Sequence, residues 1–142
     1  MTKFSTELPE DYTELKKEAN YTSSWRDRLK AVQTLSMHKN EKIIDLLKNR
    51  MNNDTVFTVR MAAYNALKAF GEDVKKPEPA RFEIIKGTDK ILLRVKKSLP
   101  AGHTLEDFAS KLERMRLDVY DAYEGDKGEQ FKTWLEEKWN KL

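Results

Sequence analysis

Two histidines, one acidic run and one basic stretch are the residues of this 142-residue chain whose types and spacing could support chemistry. His38 and His103 are candidate metal ligands or proton carriers. Neither has a second histidine or a cysteine at ligand spacing, and a metal site needs three or four converging ligands. Both fall in segments that read as turns. The acidic run "DVYDAYEGDKGE" (118–129) holds Asp118, Asp121, Glu124, Asp126 and Glu129. A calcium loop places its acids at alternate positions around a central glycine. These acids do not follow that pattern and read instead as a helix face and a turn.

Nucleophilic catalysis finds no support either. The chain has no cysteine, which excludes disulfides, thiolate metal sites and cysteine nucleophiles and suits a reducing compartment. Most serines and threonines precede helices, where capping accounts for them. The five glycines lie scattered near helix ends, and none forms a phosphate-cradling fingerprint. The residues imply no enzyme, no cofactor and no metal.

Charge leaves two binding surfaces to weigh. Residues 75–98 hold 8 Lys/Arg against 3 Asp/Glu, whereas residues 99–142 hold 7 against 10. In "TDKILLRVKKSL" (88–99), Lys90, Arg94 and Lys97 fall within about 60° on a helical wheel, opposite Ile91, Leu92, Val95 and Leu99. With "PAGHT" and a further helix behind it, this segment can be a helix-turn-helix that binds nucleic acid. Against that, residues 105–124 in the recognition position carry six acids and three bases. The second surface is the polar side of the helix 41–51, with Lys42, Asp45, Lys48 and Asn49. Its mixed charge implies a protein partner rather than a polyanion.

The elements that must hold these side chains are all helical. A short helix follows Pro9, with Tyr12, Leu15 and Ala19 on one side. Ser24 caps a second, striped by Trp25, Leu29, Val32 and Leu35, with Asp27 three residues on. Asn40 caps a third, striped by Ile43, Ile44, Leu47 and Met51. Asp54 caps a fourth, with Phe57, Met61, Tyr64 and Leu67, which stops at Gly71. Loops of three to six residues force antiparallel neighbours. "GEDVKKPEPARFEIIKG" is a connector in which "FEII" reads equally as a helical turn or an extended segment. Beyond it come the helix capped by Thr88 or Asp89, one long helix from Thr104 to Gly125, and a last helix with Phe131, Trp134, Leu135 and Trp139. The expected fold is all-α. Residues 1–74 form helical hairpins, 75–87 a connector, and 88–142 a three-helix region packed on the first.

The first half also repeats itself. "RDRLKAVQTL" (26–35) overlays "TVRMAAYNAL" (58–67) at an offset of 32, matching Arg28 with Arg60, Ala31 with Ala63 and Leu35 with Leu67. One step outside, Trp25 meets Phe57. A period of this length signals stacked supersecondary units. "NDTVFTVRMAAYNALKAFG" (53–71) resembles the short bacterial HEAT-like repeat, also called PBS-lyase-type. Asp54, Val59, Arg60, Ala63, Ala66 and Leu67 match its signature.

The resemblance covers about residues 23–71 and implies a short α-solenoid that acts by binding another protein. It also implies a bond between Arg28 and Asp54 of successive units. By the same likeness, residues 41–51 would be the second helix of a hairpin, turned toward a groove. The whole chain is similar to small Gram-positive bacterial proteins that carry such a repeat ahead of a helical tail, a likeness that brings no activity with it. With no apolar run suited to a signal peptide or a membrane span, a cytoplasmic protein is expected. The oligomeric state is left open.

Overall fold

Residues 4–21, 24–79 and 84–142 are described by the computed structural model, and among them the fold is all-α. The chain divides into two compact units, Met1–Pro79 and Ala80–Leu142. Phe82 and Glu83 of "FEII" lie outside the described residues, as do the neighbouring connector residues 80 and 81.

The first unit holds α1 (Tyr12–Ala19), α2 (Trp25–Leu35), α3 (Glu41–Asn53) and α4 (Phe57–Ala69). Side-chain caps start two of them. Ser24 Oγ accepts the Asp27 N–H at 3.2 Å, and Asn40 Oδ1 accepts the Lys42 N–H at 3.0 Å. Asp54 stands two residues too early to cap α4 directly; Val56 is the N-cap residue, and its N–H donates to Asp54 Oδ1 at 2.9 Å. Helix α1 packs on α2, α2 on α4, and α4 on α3. The hairpins are therefore α1–α2 and α3–α4. Residues 41–51 belong to the first helix of a hairpin, not the second.

Helices α2 and α4 begin 32 residues apart, at Trp25 and Phe57, and both abut a close neighbour through alanine. Ala31 and Ala63 are fully buried, as are Val32, Leu35, Ile43, Leu47, Val59 and Leu67. Each fully buried Val, Leu or Ile contributes about 1.5–3 kcal/mol. The buried side of α4 differs from the stripe expected for it. Val59, Ala63, Ala66 and Leu67 are inside, while Phe57, Met61 and Tyr64 are half-buried at its margin. Helix α4 touches both α2 and α3, and only its small-residue face admits two neighbours.

A short N-terminal segment completes this unit. The Ser5 N–H donates to the Met37 carbonyl at 3.0 Å, and the Lys39 N–H donates back to the Ser5 carbonyl at 2.6 Å. The Phe4 ring meets Phe70 edge-on at 4.8 Å.

The second unit holds α5 (Thr88–Lys97), α6 (Leu105–Met115), α7 (Leu117–Lys127) and α8 (Phe131–Lys141). Gly87, at φ 78°, is the N-cap of α5 in place of Thr88 or Asp89. The Thr88 hydroxyl is turned inward, donating to the Ile85 carbonyl and accepting from the Tyr123 hydroxyl at 2.7 Å. The long helix expected over 105–124 is two helices. Arg116 leaves the helical region at φ −140°, ψ 71°, and its guanidinium grips Asp118 with two 3.0 Å bonds. The break exposes Met115 and lets α7 turn Val119, Ala122 and Tyr123 into the core beside Phe108 and Leu112. Gly125 is buried within α7, which ends instead at Gly128, φ 56°. Leu92, Val95, Phe131 and Leu135 complete this second core.

Candidate partner-binding groove

The hairpin arrangement decides where an open surface lies. Helices α2 and α4 join the two hairpins, so α1 and α3 flank them. Helix α1 commits Leu15 and Ala19 to the core; Tyr12 packs half-buried at the edge of that core, and Lys16 and the C-cap Asn20 are exposed beyond it. Helix α3 commits Ile43, Leu47 and Met51 to the core, leaving Lys42, Asp45 and Asn49 outward. These two rows and the edge of Leu46 line one groove of about 530 Å³.

Three of the four residues expected to meet a partner, Lys42, Asp45 and Asn49, are thus brought together. The fourth is not. Lys48 points away and pairs with Glu72 at 3.2 Å. Lys16 and Lys42 are exposed and form no ion pair among the described residues. The floor is the half-buried Tyr12 ring and the buried Leu46. Asn20 anchors its amide on the Lys16 carbonyl at 2.8 Å, and Asn49 Oδ1 takes Arg50 Nη2 at 2.8 Å. The arrangement offers two free ammonium groups, one carboxylate and an apolar floor.

Lys16 and Asn20 were not anticipated from the sequence, which sets Tyr12 on one side with Leu15 and Ala19. The i, i+4, i+8 spacing of Tyr12, Lys16 and Asn20 is the signal that marks them as one face of α1.

What holds the two hairpins in register is a buried ion pair. Arg28 Nε donates to Asp54 Oδ2 at 2.9 Å and Nη2 to Oδ1 at 3.3 Å, with the two side chains only 3% and 0% exposed. Arg28 Nη1 also donates to the Tyr21 carbonyl just after α1. Arg60 repeats the gesture one unit later. Its Nε donates to the Met51 carbonyl in the last turn of α3 at 2.8 Å, and its Nη1 to the Glu78 carbonyl at 3.3 Å. Each arginine holds the end of its own hairpin's first helix; Arg28 then reaches Asp54 at the end of α3 in the next hairpin, and Arg60 the segment that follows α4.

In the second unit Lys90, Arg94 and Lys97 are exposed on α5 and form no ion pair among the described residues. Lys96, between them, is drawn inward to the carbonyls of Trp139 at 2.8 Å and Leu142 at 2.9 Å. His38 lies in the α2–α3 turn with Nδ1 3.1 Å from the Glu7 carbonyl. His103 lies in the α5–α6 turn against Trp139. In the acidic run, Asp118 is held by Arg116 and Asp126 by Lys127 at 3.6 Å. Hydrogen bonding to Arg116 lowers the Asp118 pKa and raises that of Arg116. Among the described residues no three His, Asp or Glu side chains gather as a metal site, and no helix is long and apolar enough to cross a membrane.

Set against protein families, curated proteins and solved structures, the chain matches none of them.

Proposed function

We propose that this chain is a non-catalytic protein-interaction module whose first unit is a short HEAT-like solenoid. Its groove between α1 and α3 takes a short segment of another protein. The observation that carries this reading is the pairing of free Lys16 and Lys42 with the apolar floor of Tyr12 and Leu46. A segment bearing an aliphatic side chain next to a carboxylate complements it: the aliphatic group covers Tyr12 and Leu46, and the carboxylate sits between the two ammonium groups. The parallel use of Arg28 and Arg60 supports the repeat reading, because each binds a carbonyl at the end of its own hairpin's first helix. A chain without cysteine suits the cytoplasm.

Selection from a displayed random-peptide library tests the proposal. The expected winners carry an aliphatic residue beside Asp or Glu, and they lose binding to a Lys16→Glu/Lys42→Glu variant. Selection of no peptide, or of peptides indifferent to that charge reversal, refutes it.

A second reading rests on the unpaired row Lys90, Arg94 and Lys97, which suits a polyanion such as nucleic acid. Gel shifts at low and physiological salt decide it. Phosphate binding through this row falls steeply with salt and weakens when the three residues become glutamine. Binding that ignores both changes excludes the row.

A further inference from the structure

Indole nitrogen carries one hydrogen and can only donate. Trp139 Nε1 lies 2.9 Å from His103 Nε2, so that imidazole nitrogen is the acceptor and bears no proton. The ring hydrogen is then on Nδ1, which lies 2.9 Å from the Pro100 carbonyl and donates to it. Both ring nitrogens are committed, and only the neutral Nδ1–H tautomer satisfies both. A second proton can enter only at Nε2, where it faces the indole N–H. The imidazolium has two donors and no acceptor, so the Trp139 bond cannot coexist with it.

We propose that His103 and Trp139 form a pH-sensitive latch between the α5–α6 turn and the end of α8, closed with neutral imidazole and released by its protonation.

The surroundings define what the added charge meets. From α5, Lys96 places its ammonium 5.7 Å from the Trp139 ring centroid while holding the Trp139 carbonyl. Lys97 lines, with His103, a groove of about 380 Å³ floored by Leu93, Leu99 and Pro100. From α6, Asp107 is the carboxylate that senses charge on His103, and it is occupied by the Thr104 backbone N–H at 3.0 Å. From α8, Lys138 is engaged by Asp89 at 2.8 Å. An imidazolium therefore loses the indole bond in a neighbourhood that already holds the Lys96 and Lys97 ammonium groups. Release frees the half-buried Trp139 ring and the His103 ring, which lines the 380 Å³ groove together with Leu142. The perturbation that opens the latch is acidification, followed from about pH 8 to about pH 5.

Two-dimensional NMR of the full ¹⁵N-labelled chain over that range tests the latch, with Trp139→Phe assigning the indole signal. The expected result is that the Trp139 indole N–H resonance follows a one-proton curve with the same midpoint as the His103 ring protons. The Trp25 indole, in the other unit, serves as the reference signal and does not follow that curve. In His103→Gln, whose carbonyl accepts at any pH, the Trp139 response disappears. A Trp139 signal that stays fixed while His103 titrates overturns the latch, as does a His103 that does not titrate in this window. The wild-type titration is decisive by itself if the glutamine variant fails to fold.

Discussion

Replacing Asp54 with alanine removes the anion that joins the two hairpins, and the cost can be worked from its contacts. Its carboxylate accepts from Arg28 at 2.9 and 3.3 Å, from Arg50 at 3.3 Å and from the Val56 N–H at 2.9 Å. Arg28 is 3% exposed, so its charge would be left buried without the carboxylate that balances it. Breaking one side of a buried pair costs about 3–5 kcal/mol. Domains have only about 5–15 kcal/mol in total, so the first unit should sit at the edge of unfolding.

The reverse change, Arg28→Met, should cost less, because Asp54 keeps Arg50 and the Val56 N–H. With both residues replaced, the Arg28 charge is no longer stranded, and the double variant should be more stable than Asp54→Ala alone by about 2 kcal/mol or more. Urea unfolding followed by circular dichroism, with hydrogen exchange of peptides from α2 and α4 to localise the loss, measures all four proteins. An Asp54→Ala cost below about 1 kcal/mol, or single costs that simply add in the double variant, refutes the coupling.

Three further outcomes are expected. Ala63→Leu and Ala31→Leu each insert bulk at a fully buried position where helices meet, and should each cost about 1–3 kcal/mol in chemical unfolding. The Asp107 carboxyl is lowered by its bond to the Thr104 backbone, and Asp118 by its bond to Arg116. Carbon-detected NMR titration should find both midpoints below the ordinary 3.8. Because both pKa values are depressed by folding, their stabilisation is present above about pH 4 and lost as pH falls through the folded values. Gly87→Ala puts a Cβ on a residue at φ 78°, so it should destabilise the second unit by about 1 kcal/mol without any clash, read as a lower urea midpoint.

How legible these features are depends on the range of the forces that set them. Helices α2 and α4 can be read directly, since Ala31 and Ala63 stand at matching places between larger apolar residues. The buried side of α4 cannot be read from bulk. Phe57, Met61 and Tyr64 form the larger stripe, yet a helix with two packed neighbours buries its small residues instead. The break at Arg116 is hidden for a similar reason: Met115 and Val119 keep helical spacing across it, and only the packing of α7 reveals it. Half of the groove is visible in Lys42, Asp45 and Asn49. The other half depends on α1 standing opposite α3, which no local pattern encodes. His103 and Trp139, 36 residues apart, meet only through the fold.

The groove itself is tested most directly by titrating the ¹⁵N-labelled chain with a peptide recovered by display and mapping which amides move. The expected footprint covers Tyr12, Lys16 and Asn20 on α1 together with Lys42, Asp45 and Asn49 on α3, and it vanishes in Lys16→Glu/Lys42→Glu. A footprint confined to Lys90, Arg94 and Lys97 on α5, or one that survives the charge reversal, contradicts it.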